Sequence, residues 1–267
     1  MRSPSGSPRL RRLIAEPAIP ARAAGAAGDA VSARGPAGSK RAAPARAIAA
    51  PAHAMAEPAM SGAVRAVDEP AAERCDLCAE LIPDHHRHLL DLTARQLRCA
   101  CRACVVLFDR ATAGGGHYRL VPDRRWYLAD FTLDDDTWAG LRIPVEIAFF
   151  FHDTSAGRVV AFYPSPAGAV ESLLELTSWQ RLTLANPVLD EMAPDVEALL
   201  VNRSGGARDH WLVPIDDCYA LVGLIRTHWK GLAGGVAAWD EIATFFTGLR
   251  TGCAEPPPKS TMRGVPR

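Results

Sequence analysis

The residues best suited to chemistry are cysteines, and four of the seven are spaced as two hooks. Cys75 and Cys78 form one Cys-x-x-Cys pair and Cys101 and Cys104 another, within the stretch CDLCAELIPDHHRHLLDLTARQLRCACRAC. Two such pairs, separated by enough chain for one hairpin, have the spacing of a four-thiolate metal site. Zinc suits it, being borderline soft and taking four ligands tetrahedrally at roughly 2.3 Å. Four protein ligands leave no position for water or substrate, so a closed site of this kind serves structure rather than catalysis. Iron is the competing metal, because four thiolates also hold a rubredoxin-like iron or an iron-sulfur cluster.

Cys99 is a fifth thiol beside the second hook. A Cys99/Cys104 pair is wider than a usual knuckle, so Cys101 takes the ligand position and Cys99 stands nearby as a spare. His85, His86 and His88 are further donors, read as solvated hairpin residues or partners of the ligands while four cysteines are at hand. Ala79 and Val105 follow the two pairs, where a glycine often lets the backbone turn its N–H groups toward sulfur.

The elements that must position these thiols follow from pattern. His88–Leu92 and Gln96–Cys99 are strand-like runs around Thr93-Ala94-Arg95, and Arg102 to Ala111 carries Val105, Phe108 and Ala111 at helical spacing. Knuckle, hairpin, then a knuckle opening a helix is a treble-clef-like order. It places Cys101 and Cys104 at a helix start, where free backbone N–H groups favour thiolate over thiol.

With 267 residues, no formal net charge and 48% hydrophobic residues, the chain can build a real core. Residues 1–70 hold 10 Lys/Arg against 5 Asp/Glu, and residues 71–267 hold 20 against 25. No basic stripe follows Pro70, which argues against a nucleic-acid surface. Residues 1–70 are mostly Ala, Pro, Arg, Gly and Ser with no aromatic residue, so they read as a disordered leader, or as sequence upstream of a start near Met55 or Met60. No apolar run is long enough to span a membrane, and paired thiols without a secretion signal fit a reducing cytoplasm.

Downstream, Gly114-Gly115-Gly116 reads as a joint, and Tyr118–Val121 and Arg125–Leu133 as strands. Asp134-Asp135-Asp136 reads as a solvated turn or helix cap. Ile147–Phe151 and Val159–Tyr163 form a hairpin with His152 and Asp153 in a solvated tip, where a catalytic pair is the lesser reading. Ser165-Pro166 opens a helix carrying Val170, Leu173, Leu174, Trp179 and Leu182, which Asn186-Pro187 ends. Pro194–Asn202 and Trp211–Pro214 read as strands. Asp216 caps a helix bearing Cys218, Leu221, Val222, Ile225 and Trp229, and a last helix carries Trp239, Ile242, Ala243, Phe246 and Leu249. Cys218 reads as a core residue, and Cys253 as incidental.

Several of these segments together resemble an uncharacterised bacterial family of unknown function. They are Cys75-x-x-Cys78, the His-Leu-x-Asp-Leu hairpin, Cys99-x-Cys101-x-x-Cys104, Tyr163-Pro164-Ser165-Pro166, Asp195-Val196-Glu197-Ala198-Leu199-Leu200-Val201 and Pro214-Ile215-Asp216-x-Cys218-Tyr219. The resemblance covers roughly residues 73–251, and it implies genes that neighbour those of nickel-iron hydrogenases, hence a part in hydrogenase assembly or service. It implies no active site.

The sequence therefore predicts an α+β protein: leader 1–70, a treble-clef or zinc-ribbon-like module 71–113, a mixed, mainly antiparallel sheet flanked by about three helices over 117–251, and a disordered tail 252–267. The expected function is a cytoplasmic zinc-binding accessory or adaptor protein that meets another protein, possesses no catalytic residue, and holds its ion on Cys75, Cys78, Cys101 and Cys104. The rival readings are an iron-based electron carrier and an enzyme using some of Glu171, Glu175, Asp195, Glu197 and Asp216.

Overall fold

Asp91 turns the first hairpin. Its Oδ1 accepts the backbone N–H groups of Thr93 (3.0 Å) and Ala94 (2.8 Å), so β1 (Arg87–Asp91) reverses into β2 (Gln96–Ala100). The computed structural model describes residues 73–108, 116–172 and 176–257, and these fall within one compact unit. The leader, Ala111, the first two glycines of the triple-Gly joint, Leu173, Leu174, Glu175 and the tail from 258 onward lie outside the described residues.

Helix α1 (Arg102–Phe108) follows β2 directly, and β3 (Tyr118–Leu120) returns to the free edge of β1. The result is a three-stranded sheet in the order β2-β1-β3, in the treble-clef sequence of knuckle, hairpin and helix. Its own core is small: Ile82, Leu89 and Ala100, with Cys75, Cys99 and Cys104 buried among them. The neighbour of Leu89 on β1, Leu90, points the other way and joins the core of the larger sheet.

That sheet has six strands in the order β4-β9-β8-β5-β6-β7, every strand pair antiparallel. Its members are β4 (Trp126–Tyr127), β5 (Ile147–Asp153), β6 (Arg158–Ser165), β7 (Gly168–Ser172), β8 (Glu197–Asn202) and β9 (Asp209–Pro214). Between them lie the short α2 (Asp135–Gly140) and α3 (Leu176–Ala185); α4 (Ile215–His228) and α5 (Val236–Gly252) close the chain. Both faces of the sheet are covered, which is why β8 is buried at every position and β5 reads as an unbroken apolar run. Phe149, Phe151, Leu200 and Trp211 pack toward Leu221 and Ile225 of α4 and Ile242 and Phe246 of α5. On the reverse face Phe150, Leu199 and Leu212 meet Trp179 and Leu182 of α3.

The architecture is thus α+β with antiparallel sheets, as expected; among the described residues α1 belongs to the thiol-rich module and four helices accompany the larger sheet. Three local expectations are overturned. Ser165-Pro166 opens a two-residue hairpin turn, not a helix: β6 passes into β7, Ser165 Oγ donates to the Gly168 carbonyl at 2.9 Å, and Gly168 takes φ 126, a value side chains resist. The helix starts later, at Leu176. Arg125–Leu133 yields only the two residues of β4, because past Leu128, whose amide still donates to His210 O (2.9 Å), the chain turns and the Phe131 amide closes onto Leu128 O (3.2 Å). On α5 the buried stripe is Ala238, Ile242, Phe245, Phe246 and Leu249, while Trp239 and Ala243 are exposed.

Other expectations hold. Asp134 caps α2 by accepting the Thr137 amide at 2.6 Å, α3 stops before Asn186-Pro187, and Cys218 is fully buried in the core. Beyond α5, Ala254 exchanges backbone hydrogen bonds with Arg125 and Tyr127, and Cys253 packs half-buried against the core. Among the described residues no helix is long and apolar enough to cross a membrane.

Candidate metal centre

The first hook is a tight loop held at both ends. Arg74 bridges Leu81, the Cys75 amide donates to Glu80 O (2.8 Å) and the Ala79 amide to Cys75 O (2.9 Å). Ala79 occupies the left-handed region at φ 62, the conformation for which glycine is usual and alanine strained. Asp76 fastens this hook to β2: its amide donates to Cys99 O (2.8 Å), and its Oδ2 accepts the Cys99 amide (2.7 Å). That clamp brings the second hook alongside the first, since Cys101 lies two residues further along the same chain.

The four sulfurs of Cys75, Cys78, Cys101 and Cys104 lie within 4.8 Å of one another, with Cys78 and Cys101 separated by 3.6 Å. A tetrahedral ion with metal–sulfur bonds of roughly 2.3 Å has sulfur–sulfur edges of about 3.8 Å, so the cluster could hold a metal ion. Cys75 and Cys104 are buried, Cys101 is half-buried and Cys78 is exposed, which sets the cluster at the edge of the module. The Cys104 amide donates to Cys101 Sγ at 3.5 Å across the first turn of α1.

The thiols do not ionise alike. Burial would push the Cys75 thiol up, but backbone N–H groups of Cys101, Leu77 and Cys78 outweigh it and bring it down to about 7. Burial pushes Cys104 up, and the sulfurs of Cys78, Cys101 and Cys75 push it further. At Cys78 the Glu80 backbone favours the thiolate, yet the Cys101 and Cys75 sulfurs leave it raised. Without a cation the cluster resists collecting several negative charges at once; a divalent ion is what would let four thiolates coexist.

The remaining donors separate from this cluster. Cys99 is not a spare fourth sulfur: it sits with His86 and His88 in a second group, whereas His85 belongs to neither. His86 and His88 are also not solvated, each side chain being only 4% exposed. The second group was legible in principle, since a hairpin turning at Thr93-Ala94-Arg95 puts His88 opposite Cys99.

The carboxylates nominated for an enzyme do not converge. Asp195 accepts Arg95 and Arg119, Glu197 takes a paired contact from Arg124, Asp216 meets His88 and Glu171 meets Arg158. Asp216 is not the N-cap of α4, which is Pro214: it stands inside the first turn, its Oδ2 meeting His88 and its Oδ1 accepting the Asp217 amide at 3.0 Å. Asp153 is buried rather than solvated, held by Arg95 and by Ser155. A cleft of about 560 Å³ between the turn 128–131, Asn186–Val188 and Glu255–Pro257 contains none of these groups.

Fold and site together define an antiparallel α+β protein with a thiol-rich module built onto one end of its sheet. The chain belongs to the DUF5947 family, a family of unknown function, whose model matches residues 74–253. No curated protein and no solved structure matches it.

Proposed function

We propose that the chain is a metal-binding accessory protein in which Cys75, Cys78, Cys101 and Cys104 hold one zinc ion as a closed structural site. The observation that carries this reading is the convergence of the four sulfurs from two hooks that the Asp76–Cys99 clamp sets side by side. The zinc would fold the module. Structural zinc supplies on the order of 10 to 16 kcal/mol in small fingers, far more than a core of Ile82, Leu89 and Ala100 could provide.

A protein partner is the natural reader of such a module. Leu81, beside the first hook, and Val106 and Leu107 on α1 are exposed apolar side chains close in sequence to the ligands. That the partner is a nickel-iron hydrogenase subunit or maturation factor, and that the setting is the cytoplasm, rests on the sequence resemblance and on cysteine usage. One observation favours a second reading: Cys78 is exposed, so a thiolate-bound iron there would lie close enough to the surface to pass electrons.

Elemental analysis of the untagged protein tests both. Zinc in a colourless protein, falling by one equivalent in Cys75→Ser and Cys104→Ser, supports the first reading. A red or brown protein that bleaches on reduction supports the second, and a zinc content that neither variant lowers removes the four-sulfur site altogether.

A further inference from the structure

Register sets His88 directly opposite Cys99 across the β1–β2 ladder, and His86 precedes His88 by two residues. The donor atoms of His86, His88 and Cys99 lie within 4.8 Å of one another. A tetrahedral zinc with two nitrogens and a sulfur needs edges of roughly 3.3 to 3.6 Å, so small side-chain adjustments close the set.

Each ring is already oriented. His86 Nδ1 donates to the Pro83 carbonyl at 2.9 Å, and His88 Nδ1 donates to Asp216 Oδ2 at the same distance. A carbonyl or carboxylate oxygen only accepts, so Nδ1 carries the proton and Nε2 is the nitrogen left to bind an ion. His86 Nε2 is buried and has no hydrogen-bond partner. Behind His86 stands Glu73, its Oε2 3.5 Å from Nδ1 and neither oxygen hydrogen-bonded. Both imidazoles are thus backed by carboxylates, the arrangement that raises the basicity of metal-bound histidine.

Charge points the same way. Two carboxylates and one thiol are buried around two imidazoles, and a divalent cation at the centre offsets them. We propose that His86, His88 and Cys99 form a second metal site, a two-imidazole, one-thiolate set for a borderline divalent ion of the zinc type. Its fourth position is filled by a small exogenous ligand such as water, since three protein donors make the set. It shares no ligand with the four-cysteine cluster. Through Asp216 it ties the hairpin to the first turn of α4, so an ion here fixes the module against the larger sheet.

The test uses the full chain, stripped and reloaded anaerobically with zinc or cobalt, followed by metal analysis. Two equivalents per chain are expected, and His86→Gln and Cys99→Ser should each lower this to one. Both variants should remove a mixed nitrogen/sulfur component from the cobalt spectrum and spare the four-sulfur charge-transfer bands; Cys78→Ser should do the reverse. X-ray absorption of the zinc-loaded wild type should give an average sulfur count per ion well below four, a readout independent of whether any variant folds. A single equivalent with four sulfurs, retained by His86→Gln, overturns the proposal. A single equivalent lost in His86→Gln but kept in Cys78→Ser upholds it and sinks the four-cysteine site instead.

Discussion

Arg95 closes on Asp195 across a hundred residues of chain, its Nη1 3.2 Å from Oδ1, while its Nη2 donates to Asp153 Oδ2 at 2.9 Å. Arg95 sits in the turn of the β1–β2 hairpin, and both carboxylates belong to the larger sheet or the loop entering it. Asp195 also accepts Arg119 Nη1 (2.8 Å) and the amide and hydroxyl of Thr154 (2.9 and 2.7 Å). Its backbone lies at φ 66, where aspartate is among the few side chains readily accommodated. The thiol-rich module is therefore fixed to the sheet by buried ion pairs as well as by Leu90.

Removing Arg95 should be costly. Arg95→Ala leaves Asp153 with its hydroxyl and amide partners but without its cation, and Asp195 with Thr154 and a single cation, Arg119. Breaking a buried pair by deleting one partner costs about 3 to 5 kcal/mol. Urea denaturation should show a loss of that order, while metal content stays unchanged because no metal ligand is touched. A loss below roughly 1 kcal/mol would mean that these pairs only break even against solvation.

Metal removal should act locally. The six tryptophans all lie downstream of the module, at 126 and beyond, whereas Tyr118 stacks edge-on against Phe108 beside the cysteines, centroids 5.3 Å apart. A chelator should change the near-ultraviolet tyrosine signal and open residues 74–104 to protease, while emission from buried Trp179 and Trp211 stays native-like. Because Cys78 and Cys104 are held above the ordinary thiol range, ion binding must displace their protons, and affinity should climb as pH rises. Calorimetry in buffers of different ionisation enthalpy would measure that release; none detected would mean the thiols are not the ligands.

The parts of this structure legible in sequence were the locally determined ones. Two Cys-x-x-Cys hooks, a hairpin turning at Thr93-Ala94-Arg95 and the stop at Asn186-Pro187 each depend on a few adjacent residues. The β6–β7 turn misled because Ser-Pro suits a helix start and a tight turn equally; what decides is that Val170 and Ala169 pair with Tyr163 and Pro164, a tertiary fact. Buried partners such as Arg95 with Asp195, or His88 with Asp216, join residues a hundred or more positions apart and leave no periodic trace. Cys99 is ambiguous for a different reason: its spacing from Cys104 along the chain suggests a spare ligand, and only the register of the ladder sets it opposite His88.

Ala79→Gly should stabilise the first hook. Alanine at φ 62 bears a left-handed penalty of roughly 1 to 2 kcal/mol, and glycine would remove it at the expense of a more flexible unfolded chain. The net gain should be about 0.5 to 1 kcal/mol, read as a higher chelator concentration for half-release of the ion. The Cys75, Cys78 and Arg74 contacts need no side chain at 79, since the Arg74 guanidinium donates to the Ala79 carbonyl. A less stable variant would show that the alanine methyl packs favourably enough to outweigh its backbone strain.

His210 supplies an acid-sensitive element remote from the cysteines. Burial, aided by the Arg203 guanidinium, brings its imidazole down to about 4, and the ring stacks on Phe131 with centroids 4.7 Å apart. The folded-state value lies below the unfolded one, so on acidification the unfolded chain takes up the proton first. Stability from the neutral ring is complete above about 6.5 and is lost as pH falls from there toward 4, by an upper bound of roughly 3 kcal/mol. Asp217, pushed up to about 6 by burial despite Arg125, runs oppositely: its contribution is present at low pH and shrinks as pH rises from about 4 toward 6. The two slopes oppose one another across that window in the wild type. His210→Phe should therefore expose the Asp217 slope, so that stability measured between pH 4 and 6 falls with rising pH more steeply than in the parent. An unchanged profile, or a His210 proton resonance titrating near 6.5, would show that water reaches the ring.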